Sequence, residues 1–216
     1  MRRDPRKTRQ ELIEAAAAIF SRQGYDGART QAIADRAGVN KAMINYHFGG
    51  KAGLYEAVVG HLVDEVRPRL AGLREDQDPP AAERFRRLIE VMGDAFRRRP
   101  ELAAIILREH LAGGARLSRE VMGRHLGEFF ATTRAIVVRG VARGELRPVD
   151  PHALHLSLVG ALVFFIASEP FRANAARADE LPAPAPEFAD YLDHLHHLIL
   201  DGLAPARDAR FPRRES

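Results

Sequence analysis

Cysteine and tryptophan are both absent from this chain of 216 residues. Without cysteine there is no disulfide and no thiolate metal site, and the chain offers no clue to its redox compartment. Long apolar runs are absent too. The longest, Leu156 to Ala167, is too short to span a bilayer and is interrupted by Ser157 and Gly160. No charged stretch leads into an apolar signal core. The expectation is a cytoplasmic protein with no membrane partner. Alternating strand patterns, a phosphate-binding glycine loop and a nucleophile–base pair are also missing, which leaves an enzyme reading unsupported. No cofactor is expected, and no internal repeat is found.

Neither charge sign dominates overall: 33 Lys or Arg face 29 Asp or Glu, for a formal charge of +4. The distribution is uneven, however. Residues 1–51 hold ten basic and five acidic side chains, while the remainder holds 23 and 24. A cationic excess confined to one end is the electrostatic footprint of a phosphate-binding domain, although a solvated basic surface has the same composition. Hydrophobic residues make up 46%, enough to bury a core across one large domain, or a small domain and a larger one.

Within that basic end, residues 30–46 (TQAIADRAGVNKAMINY) read as two short helices joined by a tight turn. Thr30 and Asn40 are candidate caps, because both side chains can accept from unpaired amides. Gly38 falls where the turn needs a positive φ. Ala34 is small where two helices approach, and Ile33, Val39 and Ile44 are spaced to share an apolar core. Lys41, Ala42, Asn45 and Tyr46 are left facing outward. That is the shape that lays a helix in the DNA major groove. Lys can neutralise phosphate, Asn can pair bidentately with adenine, and Ala42 can touch a thymine methyl. In the competing reading Tyr46 packs under Phe48 and His47 merely caps a helix end.

Thr8-Arg9, the Leu12/Ala16/Phe20 stripe, Gly24-Tyr25, Ile33-Ala34, Ala37-Gly38-Val39, Tyr46-His47-Phe48 and Lys51-x-x-Leu54 resemble the N-terminal DNA-binding domain of TetR-family transcriptional regulators. The match covers about the first quarter of the chain. Asn40 stands where that family often has Ser, and either can cap. The resemblance implies phosphate contact by Thr30, groove contact by Lys41, Ala42 and Asn45, backbone contact by Tyr46 and His47, and phosphate contact by Lys51 at the start of the fourth helix. Arg29 is added on its position beside Thr30. The resemblance also implies a C-terminal domain that binds a small molecule and forms a homodimer.

The whole chain reads as all-α, with about nine helices. A helix-turn-helix domain is expected over 1–52, a fourth helix over 51–75 as the link, a larger helical domain over 53–203 and an unstructured tail over 204–216. The first helix is expected from about Lys7 to Arg22, after a basic arm ending at Pro5. Beyond Pro79-Pro80, helices are expected over 81–99 (Phe85, Leu88, Ile89, Met92 and Phe96 inward), from Pro100 to Gly113 (Leu102, Ile105, Ile106 and Leu111 inward), over 117–143, from Asp150-Pro151 to Ser168, and over 187–202. A Pro/Ala-rich loop spans 181–186.

The helix from Pro151 is apolar nearly all round, so it must be covered on more than one side. It supplies Leu158, Leu162 and Phe165 as candidate dimer contacts, and the last helix supplies Leu192, Leu195 and Ile199. Alternatively the domain's own core covers both. Candidate pocket residues are His110, His125, Phe129, Phe130, Arg134 and Phe164, on inward or boundary faces, against the reading that the aromatics are simply core. His152, His155, His194, His196 and His197 read as surface or interface residues rather than a metal site.

The favoured function is a ligand-responsive regulator, a repressor that binds a palindromic double-stranded DNA operator as a homodimer and is released by a small-molecule effector. The alternative is a sensing or sequestering module without sequence-specific DNA binding.

Overall fold

The computed structural model describes residues 4–76, 78–113, 123, 125, 127–177 and 186–204. The start of the basic arm, the beginning of the expected 117–143 helix, nearly all of the 181–186 loop and the tail beyond 204 lie outside the described residues. Eleven α-helices and no strand occur among the described residues.

The first four helices are α1 (Pro5–Gly27), α2 (Thr30–Ala37), α3 (Ala42–Phe48) and α4 (Lys51–Asp64). Asp4 caps α1 by accepting from the Arg6 amide, with Pro5 in the first turn, so the helix begins earlier than Lys7. Gly24, at φ 69°, kinks α1 near its end. Leu12, Ile13, Ala16, Ala17 and Phe20 form its buried face, against Ile33 and Ala34 of α2, Ile44 of α3 and Leu54 and Val58 of α4.

The expected 51–75 helix is two helices, α4 and α5 (Arg67–Glu75). Pro68 has no N–H to donate to the carbonyl four residues back, so the ladder breaks at Glu65-Val66 and restarts.

The larger domain continues with α6 (Ala81–Arg98), α7 (Pro100–Leu111), α8 (Gly127–Ala142), α9 (Pro151–Ala167), α10 (Glu169–Arg177) and α11 (Phe188–Leu203). Helix α6 is central: Phe85, Leu88, Ile89, Met92 and Phe96 are buried, and it packs on α5, α7, α8, α9 and α11. Asp150 caps α9 through the His152 amide at 2.7 Å. Helix α10 is not expected from the sequence, where the preceding helix ends near Ser168 and no further helix comes before 187. Proline is tolerated in a first turn, and there it opens a helix rather than ending one. Leu111, expected inward, is exposed at the end of α7.

Helix α7 is the bridge between the two halves. One side packs along α1 and the other along α9. No single described helix is long and apolar enough to cross a membrane.

Candidate functional site

The α2–α3 unit is built by local chemistry. Gly38 ends α2 in the left-handed region at φ 64°, and the Val39 amide donates to Ala34 O at 3.0 Å. Asn40 Oδ1 then accepts from the Ala42 amide at 2.8 Å and caps α3. Thr30 differs from expectation: it opens α2 instead of capping it, and the cap position falls on Arg29, whose side chain makes no capping bond. Ile33 and Ile44 are fully buried, with Val39 packed against them. Gly49, at φ 70°, ends α3 and lets the chain reverse into α4.

This packing turns one face of α3 outward. Lys41, Ala42, Asn45 and Tyr46 are all exposed, Tyr46 by 75%. The Tyr46 ring lies edge-on to His47 at 4.9 Å instead of beneath Phe48. Phe48 is covered on its own side by the Arg9 guanidinium, 5.2 Å from the ring centre. Arg29 is exposed and Thr30 half-buried. Lys51 is half-buried: its ammonium sits 4.6 Å from the Tyr25 ring and donates to Asp26 O at 3.4 Å. A glycine that the sequence reading missed fixes the α3–α4 junction. A Cβ on Gly53 would lie 2.0 Å from the Phe48 carbonyl oxygen.

A second site lies in the larger domain. A cleft of about 280 Å³ is lined by Phe96, Ile106, His110, Gly127, Phe129, Phe130, His152, His155, Leu156 and Val159. Of the six expected pocket residues it gathers His110, Phe129 and Phe130. His125 sits elsewhere, packed on Gly60 of α4 and accepting from Arg67 Nη2 at 2.8 Å. Arg134 and Phe164 are exposed and do not line the cleft. His152, exposed as expected of a surface residue, and His155, half-buried, also line it. His152 lies 4.6 Å from the Phe130 ring. Burial, together with the nearby His152, pushes the His155 imidazole down to about 4, so it is neutral near pH 7.

Leu158, Leu162, Phe165, Leu195 and Ile199 are buried within the subunit, and Leu192 is half-buried beside Gly93. These six expected dimer contacts therefore face the protein's own core. The apolar surface left on the same helices is Leu156 and Phe164 on α9 and Leu198 on α11.

Two consecutive residues of α7 connect the cleft to the DNA-binding end. Arg108 Nε and Nη2 donate to Ser21 O (3.1 Å) and Arg22 O (2.9 Å), carbonyls left open where Gly24 breaks α1. The next residue, Glu109, is buried and accepts from the Tyr55 hydroxyl of α4 at 2.8 Å. Ile106 and His110, four residues apart on one face of α7, line the cleft.

Comparison with known proteins agrees with this geometry. The family model for bacterial regulatory proteins of the TetR family matches residues 12–58, and the tetracyclin repressor-like C-terminal domain model matches residues 82–185. The HTH-type transcriptional repressor NicS of Pseudomonas putida is 32% identical over 200 residues, covering 91% of this chain and 92% of that protein. The HTH-type transcriptional regulator RutR of Escherichia coli strain K12 is 28% identical over 200 residues, covering 91% of each. The crystal structure of HlyIIR, a hemolysin II transcriptional regulator, superposes with a TM-score of 0.70 at 20% identity, over 94% of this chain and all of that one. The chain belongs to the TetR family of bacterial transcriptional regulators.

Proposed function

We propose that this regulator is a repressor: a homodimer that binds a palindromic operator through α3 and releases it when a small molecule enters the α7–α9 cleft. The observation that carries the reading is the joining of two sites by one helix. Helix α7 lines the cleft with Ile106 and His110 and holds α1 and α4 through Arg108 and Glu109. A ligand that tilts α7 therefore acts on the two helices that carry α3.

Lys41, Ala42 and Asn45 reach base edges, while Arg29, Thr30, Tyr46, His47 and Lys51 meet the sugar-phosphate backbone. One copy makes few base contacts, so two half-sites roughly 34–36 Å apart are needed for tight binding. A few ångströms of change in that separation breaks simultaneous contact. The second copy docks on apolar side chains left exposed, Leu156 and Phe164 of α9 and Leu198 of α11. Repression needs nothing further, since an occupied promoter is closed to polymerase.

Selection of bound duplexes from a random pool, followed by anisotropy titration, tests this. Enrichment of a palindrome bound by two chains supports the reading. Equal binding of all duplexes, or recovery of a single unrepeated half-site, overturns it.

A further inference from the structure

Two of the three imidazoles that line the cleft, His155 and His110, share one hydrogen-bonding state. The Thr133 hydroxyl donates to Phe129 O at 3.1 Å, so its oxygen can only accept from His155 Nδ1, 3.2 Å away. His155 therefore carries its proton on Nδ1. His110 Nδ1 lies 2.8 Å from Ile106 O, and a carbonyl oxygen can only accept, so this ring too is protonated at Nδ1. In an imidazole with its one proton on Nδ1, Nε2 is a bare lone pair. Among the described residues no Lys, Arg, Asp or Glu lines the cleft. Apart from His152 and Gly127, the rest of its wall is aromatic and aliphatic: Phe96, Phe129, Phe130, Ile106, Leu156 and Val159. Phe96 and Phe129 lie near parallel, with centroids 6.3 Å apart and planes at 15°.

We infer that the cleft takes a flat molecule of one or two rings whose polar group donates a hydrogen bond, such as a phenol-type hydroxyl or a ring N–H, and that it rejects the corresponding carboxylate. This deepens the reading of the cleft as the effector site and rests on it. Size sets the ring number. A dry cavity of about 150 Å³ accepts benzene, so about 280 Å³ has room for one or two fused rings. Polarity sets the functional group. A donor pairs with the His155 or His110 Nε2 lone pair and asks for no added proton on either ring. A carboxylate meets the same lone pairs and, among the described residues of the wall, no Lys or Arg to pair with. Pairing through His155 would need that ring to take up a proton, which its burial opposes at ordinary pH.

The test is calorimetric titration of the full chain, near pH 7.5, with 2-naphthol, 2-methoxynaphthalene and 2-naphthoate. These share the ring system and differ in the polar group. The expected order is 2-naphthol first, with the methyl ether weaker by about tenfold, the size of one hydrogen bond to a desolvated acceptor, and the carboxylate weaker still. In His155→Leu the difference between 2-naphthol and its methyl ether shrinks. The three-ligand comparison on the unaltered chain stands even if that variant does not fold. Equal affinity for the naphthol and the ether, tighter binding of the naphthoate, or no binding of any of the three overturns the inference. A separate anisotropy titration of the protein–DNA complex keeps the two readings apart. Donor-selective binding that leaves the DNA affinity unchanged supports the ligand class and overturns the effector role.

Discussion

The Tyr55 hydroxyl donates to the Glu109 carboxylate at 2.8 Å, with both residues buried, and the bond ties α4 to α7. Removing the hydroxyl leaves a buried carboxylate short of a donor, which costs about 1–3 kcal/mol. Tyr55→Phe is expected to lower stability by that amount in urea denaturation. If the bond also transmits the effector signal, the variant shows a smaller ratio of DNA affinities with and without ligand. A double-mutant cycle with Glu109→Gln is expected to be non-additive, because the two groups touch. Additive effects would show that the pair is not coupled.

Contacts on the exposed face of α3 divide by chemistry. Lys41→Ala removes a phosphate partner, so it weakens binding to all duplexes alike and lowers the salt slope by about one unit per half-site. Asn45→Ala removes the one side chain there that can pair bidentately with adenine. It is expected to cost about 1–3 kcal/mol per half-site and to relax preference at one position while leaving the salt slope unchanged. Anisotropy titrations over a range of salt concentrations, on the selected palindrome and on point-substituted duplexes, separate the two effects.

Much of the DNA-binding end could be read from sequence because its determinants are local. Gly38, Asn40 and the Ile33/Val39/Ile44 spacing lie within a dozen residues of one another. The coupling residues could not be read, because their partners are distant: Glu109 and Tyr55 are 54 positions apart, and Arg108 and Ser21 are 87 apart. Helix α9 fails for another reason. It is apolar nearly all round, so its pattern names no inward side. The sequence reading offered Leu158, Leu162 and Phe165 as dimer contacts, with the domain's own core as the alternative; they are buried, and Leu156 and Phe164 are the exposed ones. His155 became legible as a cleft residue only once Thr133 was seen to orient it.

The domain junction is sensitive to acid. Burial disfavours the charged form of Glu14, but the His61 hydrogen bond (3.0 Å) and the Arg99 ion pair (3.2 Å) outweigh it and hold the carboxyl below its ordinary value. The hydrogen bond from Arg99 (2.7 Å) does the same for Glu65. A carboxyl whose pKa is lowered by folding stabilises the fold above the unfolded value of 4.5, and that contribution is lost as pH falls through the lowered value. Melting temperature is therefore expected to decline from about pH 5 downward, and Arg99→Met is expected to flatten that decline. Parallel slopes for the two proteins would remove this cluster as the cause.

Gly53 sets the angle at which α4 leaves α3. An added Cβ would stand 2.0 Å from the Phe48 carbonyl oxygen, and backbone cannot swing aside as a side chain can. Gly53→Ala is expected to destabilise by about 1–3 kcal/mol, as overpacking does, and to weaken operator binding by more than the stability loss explains. Gly72→Ala is a fitting control. It lies within α5 with open space where its Cβ would sit, and it is expected to be neutral or slightly stabilising.

Three large apolar side chains stay uncovered on α9 and α11: Leu156 at 54% exposure, Phe164 at 68% and Leu198 at 61%. If a second copy covers them, a charge placed among them must be desolvated on association and dimerisation fails. Phe164→Asp and Leu198→Asp are each expected to shift sedimentation from dimer to monomer without lowering monomer helicity, since neither residue supports its own subunit's core. Loss of the dimer should abolish operator binding at concentrations that saturate the parent protein, because each half-site alone is weakly held. The buried Leu162 gives the contrasting case. Leu162→Ala opens a cavity inside the subunit, so it is expected to cost about 2–5 kcal/mol of fold stability. A dimer that survives both Asp substitutions would place the interface on another face of the molecule.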